Sequence, residues 1–171
     1  MFDIPKKEPL TIEFKSDRKC LSDSDIIDAV VGLANTEGGS LYLGIEDNGA
    51  VTGLHSNHND TLKMSVMIAN RTVPSISVRI NIVEINKNQV MVFEVSKSRS
   101  IVATANGKVL KRKLKASGEP ENIPMFPYEY NSRLADLGSL DFSRQALTEA
   151  AVDDFDDDEV KRLRKTIELR N

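Results

Sequence analysis

The stretch that decides the fold runs from Leu33 to Leu54, LANTEGGSLYLGIEDNGAVTGL. It continues an apolar helical face that begins at Ile26, and the turn from Asn35 to Gly39 interrupts that face, because glycine adopts the left-handed backbone found at helix C-termini. A short, mostly apolar strand follows from Ser40 to Ile45. Asp47-Asn48-Gly49 then predicts a hairpin turn, since Asn-Gly supplies positive φ angles. The stretch therefore predicts a helix end, a tight turn, a buried strand and a short return strand.

The same stretch resembles the signature of the Schlafen AlbA-type family. The residues that carry the likeness are Asn35, Thr36, Gly38, Gly39, Gly44, Ile45, Asp47, Gly49, Gly53 and Leu54. The likeness extends over roughly residues 8 to 130 and is most specific from 29 to 54. It implies a mixed α/β domain that binds nucleic acid, of the kind found in bacterial transcriptional regulators. In some Schlafen proteins the domain is also a metal-dependent RNA endonuclease.

Composition indicates one ordinary domain, with room for an appendage. The chain has 171 residues, 40% of them apolar, and no apolar run long enough to span a membrane. The start, MFDIPKKEPL, is too polar for a secretory signal. A single cysteine, Cys20, excludes an internal disulfide and favours the cytoplasm. The net charge is -3, and the acidic excess lies in residues 141–171, so the rest of the chain is neutral overall.

The pattern along the chain predicts the α/β (α+β) class, with a mixed, mostly antiparallel sheet flanked by helices. Strands are predicted over 8–15, 40–45, 75–85, 89–95 and 109–114, and helices over 24–35 and 62–71. Leu62, Val66 and Ala69 lie at helical spacing in the second helix, with Met64, Met67 and Ile68 beside them, and the two methionines are expected on its core face. Residues 116–127 contain Gly118, Pro120, Pro124 and Pro127 and are expected to be irregular, with a short helix within 125–137.

The predicted domain ends near residue 138. Residues 1–138 form the AlbA-type domain, and 139–171 form a helical extension or the start of a further domain. Within the extension, residues 140–154 are a weak connector or a single helix. Residues 156–169 are amphipathic, with acids first and basic residues last, which suits a helix dipole.

Three acids are candidate metal ligands. Glu8 and Glu13 match, in spacing and context, two acids that nuclease members of the family use to hold metal, and a third family acid matches Glu46 or Asp47, of which we take Asp47. Mg²⁺ or Mn²⁺ held by carboxylates would neutralise phosphate charge and activate water. Glu8 and Glu13 have opposite parity on a regular strand, so they face one site only if Pro9 introduces an irregularity. The alternative is three unrelated surface acids.

A basic strand is the candidate nucleic-acid surface. Its cationic residues are Lys108, Lys111, Arg112, Lys113 and Lys115, which Lys15 and Lys19 could extend. Alternation places Lys111, Lys113 and Lys115 on one face, where they would follow a phosphate backbone without reading bases. The family has a tyrosine followed two residues later by an arginine here. Leu110 replaces that tyrosine, which removes a base-stacking ring, whereas Arg112 keeps the arginine. The alternative is an edge strand protected by lysines against aggregation.

Histidine and cysteine give weaker signals. His55 and His58 have HxxH spacing, but two ligands do not make a zinc site, and a polar loop is expected. Cys20 is expected to be incidental, because no Cys-His-acid constellation is visible around it. The turn from Asn35 to Gly39 follows a helix rather than preceding one, so it is not a phosphate loop.

We therefore expect a cytoplasmic DNA- or RNA-binding domain of a transcriptional regulator, working as a homodimer and without a cofactor. The paired modules of Schlafen cores suggest the two-fold dimer. The first alternative is the Mg²⁺- or Mn²⁺-dependent ribonuclease that uses Glu8, Glu13 and Asp47. The second is a protein-interaction module that does not bind nucleic acid.

Overall fold

The computed structural model describes residues 8–138 and 156–168. The chain divides into two compact units, residues 1–140 and 141–171. In the described ranges the strands are β1 (Ile12–Lys15), β2 (Gly39–Leu43), β3 (Thr72–Val73), β4 (Arg79–Ile85), β5 (Asn88–Val95), β6 (Ala103–Thr104), β7 (Leu110–Leu114) and β8 (Pro120–Pro124). The helices there are α1 (Asp23–Ala34), α2 (Thr61–Asn70), α3 (Pro127–Asp136) and α4 (Asp157–Glu168). None of them is long and apolar enough to cross a lipid bilayer.

A four-stranded sheet in the order β1-β2-β5-β4 forms the centre of the first unit. β1 runs parallel to β2, and the other neighbours are antiparallel. A parallel pair needs a long crossover, and α1 provides it. β7 and β8 form a separate antiparallel hairpin, and β3 pairs with β6. The predicted α+β class with a mixed, mostly antiparallel sheet is confirmed.

Apolar residues cover both faces of the central sheet. On one face Ile26, Val30 and Leu33 of α1 pack with Leu41 and Phe93. On the other face a smaller cluster contains Phe14, Tyr42, Ile45, Val90 and Val92. Successive residues of a strand point to opposite faces, so a strand covered on both sides is continuously apolar. This explains the unbroken apolar run in β5.

The glycine turn after α1 fits tightly against β1. Gly39 has φ +137°, and a Cβ there would lie 2.0 Å from the carbonyl oxygen of Thr11. The same positive-φ backbone occurs at the other glycines of the predicted motif, which are Gly38, Gly44, Gly49 and Gly53. A side chain at Gly39 would push β1 away from β2, because the Ser40 amide donates to that Thr11 carbonyl at 2.8 Å.

β1 is shorter than predicted. It begins at Ile12 rather than Glu8, because the chain turns at Pro9 and the Ile12 amide donates to the Pro9 carbonyl at 3.1 Å. The turn lets the Glu8 carboxylate accept a hydrogen bond from the Phe14 amide. The irregularity that a shared site for Glu8 and Glu13 requires is therefore present.

The inward face of α2 differs from the prediction. Leu62 and Val66 are exposed, whereas Met64 and Ile68 are buried. The buried pair is spaced i, i+4, so the apolar stripe is shifted by two positions from the predicted one. The core position of Met64 is as predicted.

The proline-rich segment was wrongly expected to be irregular. It forms β8, which pairs with β7 in the register Leu110↔Pro124 and Leu114↔Pro120. Proline lacks an N–H donor and is tolerated on an edge strand, where one side makes no ladder bonds. The short helix expected in 125–137 is α3.

The second unit contains α4, close to the predicted 156–169 helix, with Asp157, Asp158 and Glu159 in its first turn. The predicted connector at 140–154 lies outside the described residues. The domain boundary near 138 stays a prediction.

Candidate nucleic-acid interface

The C-terminal end of α1 holds β7 in place. The Asn35 side chain, which is buried, donates to the carbonyls of Val102 at 2.7 Å and Leu110 at 2.8 Å, and it accepts from the Val102 amide at 2.8 Å. The Thr36 hydroxyl accepts from the Arg112 amide at 2.8 Å. Asn35 was expected only to take part in the turn that ends the helix. In the structure, it fixes the position of the basic strand.

β7 alternates as predicted over its first residues. Leu110 and Arg112 are buried, whereas Lys113 is exposed and Lys111 is partly exposed. We call Lys111, Lys113 and the following Lys115 the lysine face. Over five residues of a strand its length is about 13 Å. Lys113 and Lys115 are the exposed cations of this face.

Arg112 does not lie on this surface, contrary to the prediction. Its guanidinium is fully buried and forms an ion pair with Glu13, and it also donates to the carbonyl oxygen of Ile12 at 2.8 Å. Leu110 and Arg112 point towards the interior, whereas Leu114 at the end of the strand is exposed, and the guanidinium of Arg112 reaches Glu13 and Ile12 of β1. Arg112 therefore connects β7 to β1 and is not available to a phosphate.

Acidic side chains accompany most of the predicted cations. Glu129 pairs with Lys111, and the hydrogen bond from Lys111 lowers the pKa of Glu129. Glu119 lies 3.8 Å from Lys115, and Glu121 stands opposite Lys113 in the hairpin register.

The remaining predicted cations lie away from the lysine face. Lys108 comes before β7 and pairs with Asp28 of α1 at 2.8 Å, and this hydrogen bond raises the pKa of Lys108. Lys15 binds Glu13 at 2.6 Å, and Lys19 is exposed in the loop before α1. The surface is consequently less cationic than the sequence suggests.

An exposed aromatic pair stands next to the lysine face. Phe126 and Tyr128 are 51% and 74% exposed, and their rings stack with centroids 6.1 Å apart and an interplanar angle of 6°. They lie at the start of α3, where Glu129 accepts from the Phe126 amide at 2.9 Å and also binds Lys111. We call Phe126 and Tyr128 the aromatic pair. Glu129 thus links it directly to the lysine face.

The aromatic pair was not identified from the sequence, although a signal was present. The segment Phe126-Pro127-Tyr128-Glu129-Tyr130 holds three of the nine aromatic residues of the chain. Loss of the family tyrosine at Leu110 had removed the expected stacking ring. The structure offers two other rings, Phe126 and Tyr128, just beyond the end of the partner strand β8 at Pro124.

The three predicted acids line one groove of about 730 Å³, together with Lys15, Lys115 and the β7–β8 turn. Glu8 is partly buried, and this burial raises the pKa of its carboxyl. Asp47 is exposed at the rim. The structure therefore brings Glu8, Glu13 and Asp47 to the same groove, as the metal hypothesis requires.

Glu46, the other candidate for the third acid, is committed elsewhere. Its carboxylate accepts from the hydroxyls of Thr52 at 2.7 Å and Ser16 at 2.8 Å, and these hydrogen bonds lower its pKa. It ties the hairpin after β2 to the loop after β1.

The arrangement of the acids does not fit a metal ion. One oxygen of Glu13 pairs with Arg112 and the other with Lys15, so both oxygens already face cations. Among residues 8–138 and 156–168, no three His, Cys, Asp or Glu side chains converge closely enough to hold a metal. To bind a metal ion, Glu13 would have to break its buried ion pair with Arg112, which costs several kcal/mol of stability.

Cys20 was expected to be incidental and His58 to lie in a polar loop, but the structure brings the two side chains together with Asp17. His58 is buried, its Nδ1 lies 2.9 Å from Asp17, and its Nε2 lies 3.8 Å from the Cys20 sulfur. The three residues form a Cys-His-acid constellation. It escapes sequence reasoning because Asp17 and Cys20 are about forty positions from His58, with no motif linking them.

Comparison with a solved crystal structure shows the fold. The crystal structure of the DIP2311 protein from Corynebacterium diphtheriae is similar over 91% of this chain, with a TM-score of 0.62 and 18% identity, and the chain spans 33% of that protein's length. The solution structure of the N-terminal domain of a RecG-related protein from Nitrosomonas europaea matches 53% of this chain and 65% of its own, at 21% identity and a TM-score of 0.37.

Comparison with families is more specific. No curated protein matches the chain. The family model described as "Schlafen, AlbA_2" matches residues 8–120, well over half of the sequence, from the groove acid Glu8 through the basic strand. The chain therefore belongs to the Schlafen AlbA_2 family.

Proposed function

We propose that the first unit binds nucleic acid, with the lysine face contacting phosphates and the aromatic pair stacking on unpaired bases. The observation that carries the proposal is the aromatic pair, two large rings left in solvent beside a cationic strand. Cationic grooves with exposed rings are the usual surface for single-stranded nucleic acid. Membership of the AlbA_2 family supports the same class of ligand.

The lysine face would supply the phosphate contacts. Lys113 and Lys115 extend into solvent, and the β7–β8 hairpin holds their backbone rigidly. Neighbouring acids, Glu119 and Glu121, offset part of this charge. We therefore expect weak binding with a clear salt dependence, because phosphate contacts from the two exposed lysines to a single strand give a slope of about -1.4 in log K against log salt.

The aromatic pair would supply the contacts to bases. Each base stacked on a ring contributes about 1–3 kcal/mol, without strong sequence preference. Phe126 precedes Pro127 at the first helical position of α3, so the backbone that carries the ring is restricted. A preformed ring pair favours single strands over duplexes, whose bases are already stacked.

The first experiment measures anisotropy of labelled single-stranded RNA, single-stranded DNA and duplex DNA at about 50 and 200 mM salt. The test variant is Lys113→Gln/Lys115→Gln, and the matched control is Lys63→Gln/Lys87→Gln, which removes two exposed lysines elsewhere. We expect the test variant alone to weaken binding and to reduce the salt slope by about 1.4. Absent or salt-insensitive binding would instead favour the protein-interaction module.

The second experiment tests the aromatic pair with Phe126→Leu/Tyr128→Leu, which keeps apolar volume but removes the ring faces. Binding of single strands should weaken about 5- to 150-fold, which corresponds to the loss of one stacked base. Leu62→Ala, at another exposed apolar residue, is the control and should bind normally. Equal affinity of the ring variant and the wild type would refute the stacking role.

The finer parts of the proposal are DNA as the natural ligand, a role in a cytoplasmic transcriptional regulator, and a homodimer that places two such surfaces side by side. The family resemblance supports them. Tighter binding of single-stranded DNA than of single-stranded RNA in the anisotropy series would support DNA as the ligand. Light scattering tests the homodimer, and a monomer at the concentrations used for binding would exclude it.

A further inference from the structure

The loop before α1 and the loop before α2 meet in a polar cluster outside the proposed nucleic-acid surface. We call Asp17, Cys20, Asn57 and His58 the cysteine cluster. Asp17 and Cys20 lie in the first loop, and Asn57 and His58 lie in the short 3₁₀ turn Ser56–His58 of the second.

Asp17 fixes the orientation of the His58 ring. Its carboxylate is fully buried and lies 2.9 and 3.0 Å from Nδ1 of His58. The same carboxylate accepts from the amides of Leu21 at 2.9 Å and His55 at 2.8 Å, so its own position is determined by backbone. A carboxylate accepts hydrogen bonds and donates none, so we assign the tautomer whose ring proton lies on Nδ1 and is donated to Asp17.

This tautomer leaves Nε2 as an acceptor, and Nε2 faces the sulfur of Cys20 at 3.8 Å. Asn57 adds a donor, since its Nδ2 lies 3.7 Å from the same sulfur. Cys20 is partly exposed, so a small reagent can reach it. A thiol within reach of a histidine, which a carboxylate orients in turn, is the arrangement of an activated nucleophile.

The backbone at Cys20 is also unusual. Cys20 has φ +59°, in the left-handed region that residues with a Cβ seldom adopt. The turn that imposes this angle is closed by the Cys20 amide, which donates to the Asp17 carbonyl at 3.1 Å. This conformation therefore holds Cys20 and Asp17 within one turn of the chain, and Asp17 is the carboxylate that orients His58. Strained backbone of this kind is found at functional sites.

We propose that Cys20 is a reactive thiol, with His58 as its general base and Asp17 as a positioning residue, and that it reacts with small electrophiles, in the cell with hydrogen peroxide. His58 Nε2 takes the thiol proton, and the thiolate attacks one peroxide oxygen. The O–O bond breaks, and the departing hydroxide takes the proton back from His58 as water. Cys20 is left as a sulfenic acid. Because residues 1–171 contain one cysteine, a second thiol that condenses with it lies outside these residues.

The test uses the single cysteine of the intact chain, whose modification is read by mass spectrometry. Iodoacetamide is the probe at pH 7, and a synthetic peptide of residues 16–24 is the reference, since it has the same local charges without His58. An ordinary thiol is only a few per cent thiolate at this pH. Because His58 Nε2 can take the thiol proton as the sulfur attacks, we expect the folded chain to react about three- to tenfold faster than the peptide. A folded chain that reacts as slowly as the peptide, or more slowly, overturns the proposal without any variant.

Variants then distinguish the role of His58 as the base from the role of Asp17 as the residue that orients it. His58→Gln should react at the peptide rate, whereas His55→Gln, in the same loop, should keep the wild-type rate within about twofold. Asp17→Asn can still hold the ring by donating to Nδ1, but it moves the ring proton to Nε2, so its alkylation rate should fall as in His58→Gln. A purely structural Asp17 would leave that rate unchanged.

Peroxide provides the final readout. Dimedone should trap a sulfenic acid on the wild type and on His55→Gln, and much less on His58→Gln. Equal trapping on His58→Gln and on the wild type would disprove the assigned base, provided that circular dichroism shows both proteins to be folded.

Discussion

Replacing Arg112 with methionine tests whether this arginine holds the domain together or binds nucleic acid. Its guanidinium is fully buried and the side chain of its partner Glu13 is 8% exposed, so Arg112→Met would leave a carboxylate enclosed with Lys15 as its remaining cation. Breaking a buried ion pair in this way costs about 3–5 kcal/mol. For a chain of this size, the melting temperature should fall by about 10 °C.

The double variant Glu13→Leu/Arg112→Met separates the ion pair from the hydrogen bond. It removes both charges of the pair, and the remaining losses are the partner of the partly exposed Lys15 and the donor to the Ile12 carbonyl, which accepts from Arg112 at 2.8 Å. An unsatisfied buried acceptor costs about 1–3 kcal/mol. The double variant should therefore be more stable than Arg112→Met alone, although it carries one more substitution.

Urea unfolding followed by circular dichroism gives the free energies. The matched control is Arg79→Met, because Arg79 and Glu94 form an exposed cross-strand pair at 3.3 Å, and its loss should cost less than about 1 kcal/mol. An Arg112→Met loss as small as that of the control would refute the buried pair. So would a double variant whose loss equals the sum of the two single losses, since coupled residues must deviate from additivity.

Three further predictions concern Glu8, Glu13 and the Asn35 side chain that joins α1 to β7. Burial raises the pKa of Glu8 above 4.5 in the folded chain, so Glu8→Gln should increase the free energy of unfolding at pH 7. Unfolding measured at a series of pH values should show this gain shrinking as the pH falls through the folded-state pKa and vanishing below the unfolded-state pKa. Asn35→Ala leaves the carbonyls of Val102 and Leu110 and the amide of Val102 without their partner, so it should lower the free energy of unfolding in urea by about 2–4 kcal/mol. The control Asn81→Ala, at an exposed position of β4, should change this free energy little. Because Glu13 is held by two cations, labelled RNA should be cut no faster with Mg²⁺ or Mn²⁺ than with EDTA; metal-dependent cleavage that Glu13→Gln abolishes would contradict this arrangement.

Sequence reasoning recovered what depends on local pattern. The turn after α1, the buried β2 and the β4–β5 hairpin follow from glycine placement and alternation over a few residues. The alternation of β7 was also correct, and it places Arg112 on the inner side of the strand. What the pattern did not show is that this inner side faces a carboxylate from β1.

The errors share one physical cause, which is pairing between residues far apart in the chain. Arg112 looked like a surface cation because its partner Glu13 is 99 positions away. Cys20 looked isolated because His58 comes from a different loop. The proline-rich segment looked irregular because its strand character depends on β7, which offers it an edge on which missing N–H donors are tolerated.

The long separation between Glu13 and Arg112 has a consequence for synthesis on the ribosome. β1 emerges first, and the Glu13 carboxylate can meet the Arg112 guanidinium only after 99 further residues have been added. At ordinary elongation rates this takes about 5–20 s. The Asn35 amide likewise waits for Leu110, 75 positions later. The nascent chain must therefore keep Glu13 hydrated until β7 has left the exit tunnel, and a translational pause before that point would prolong an incompletely closed state open to chaperones and proteases.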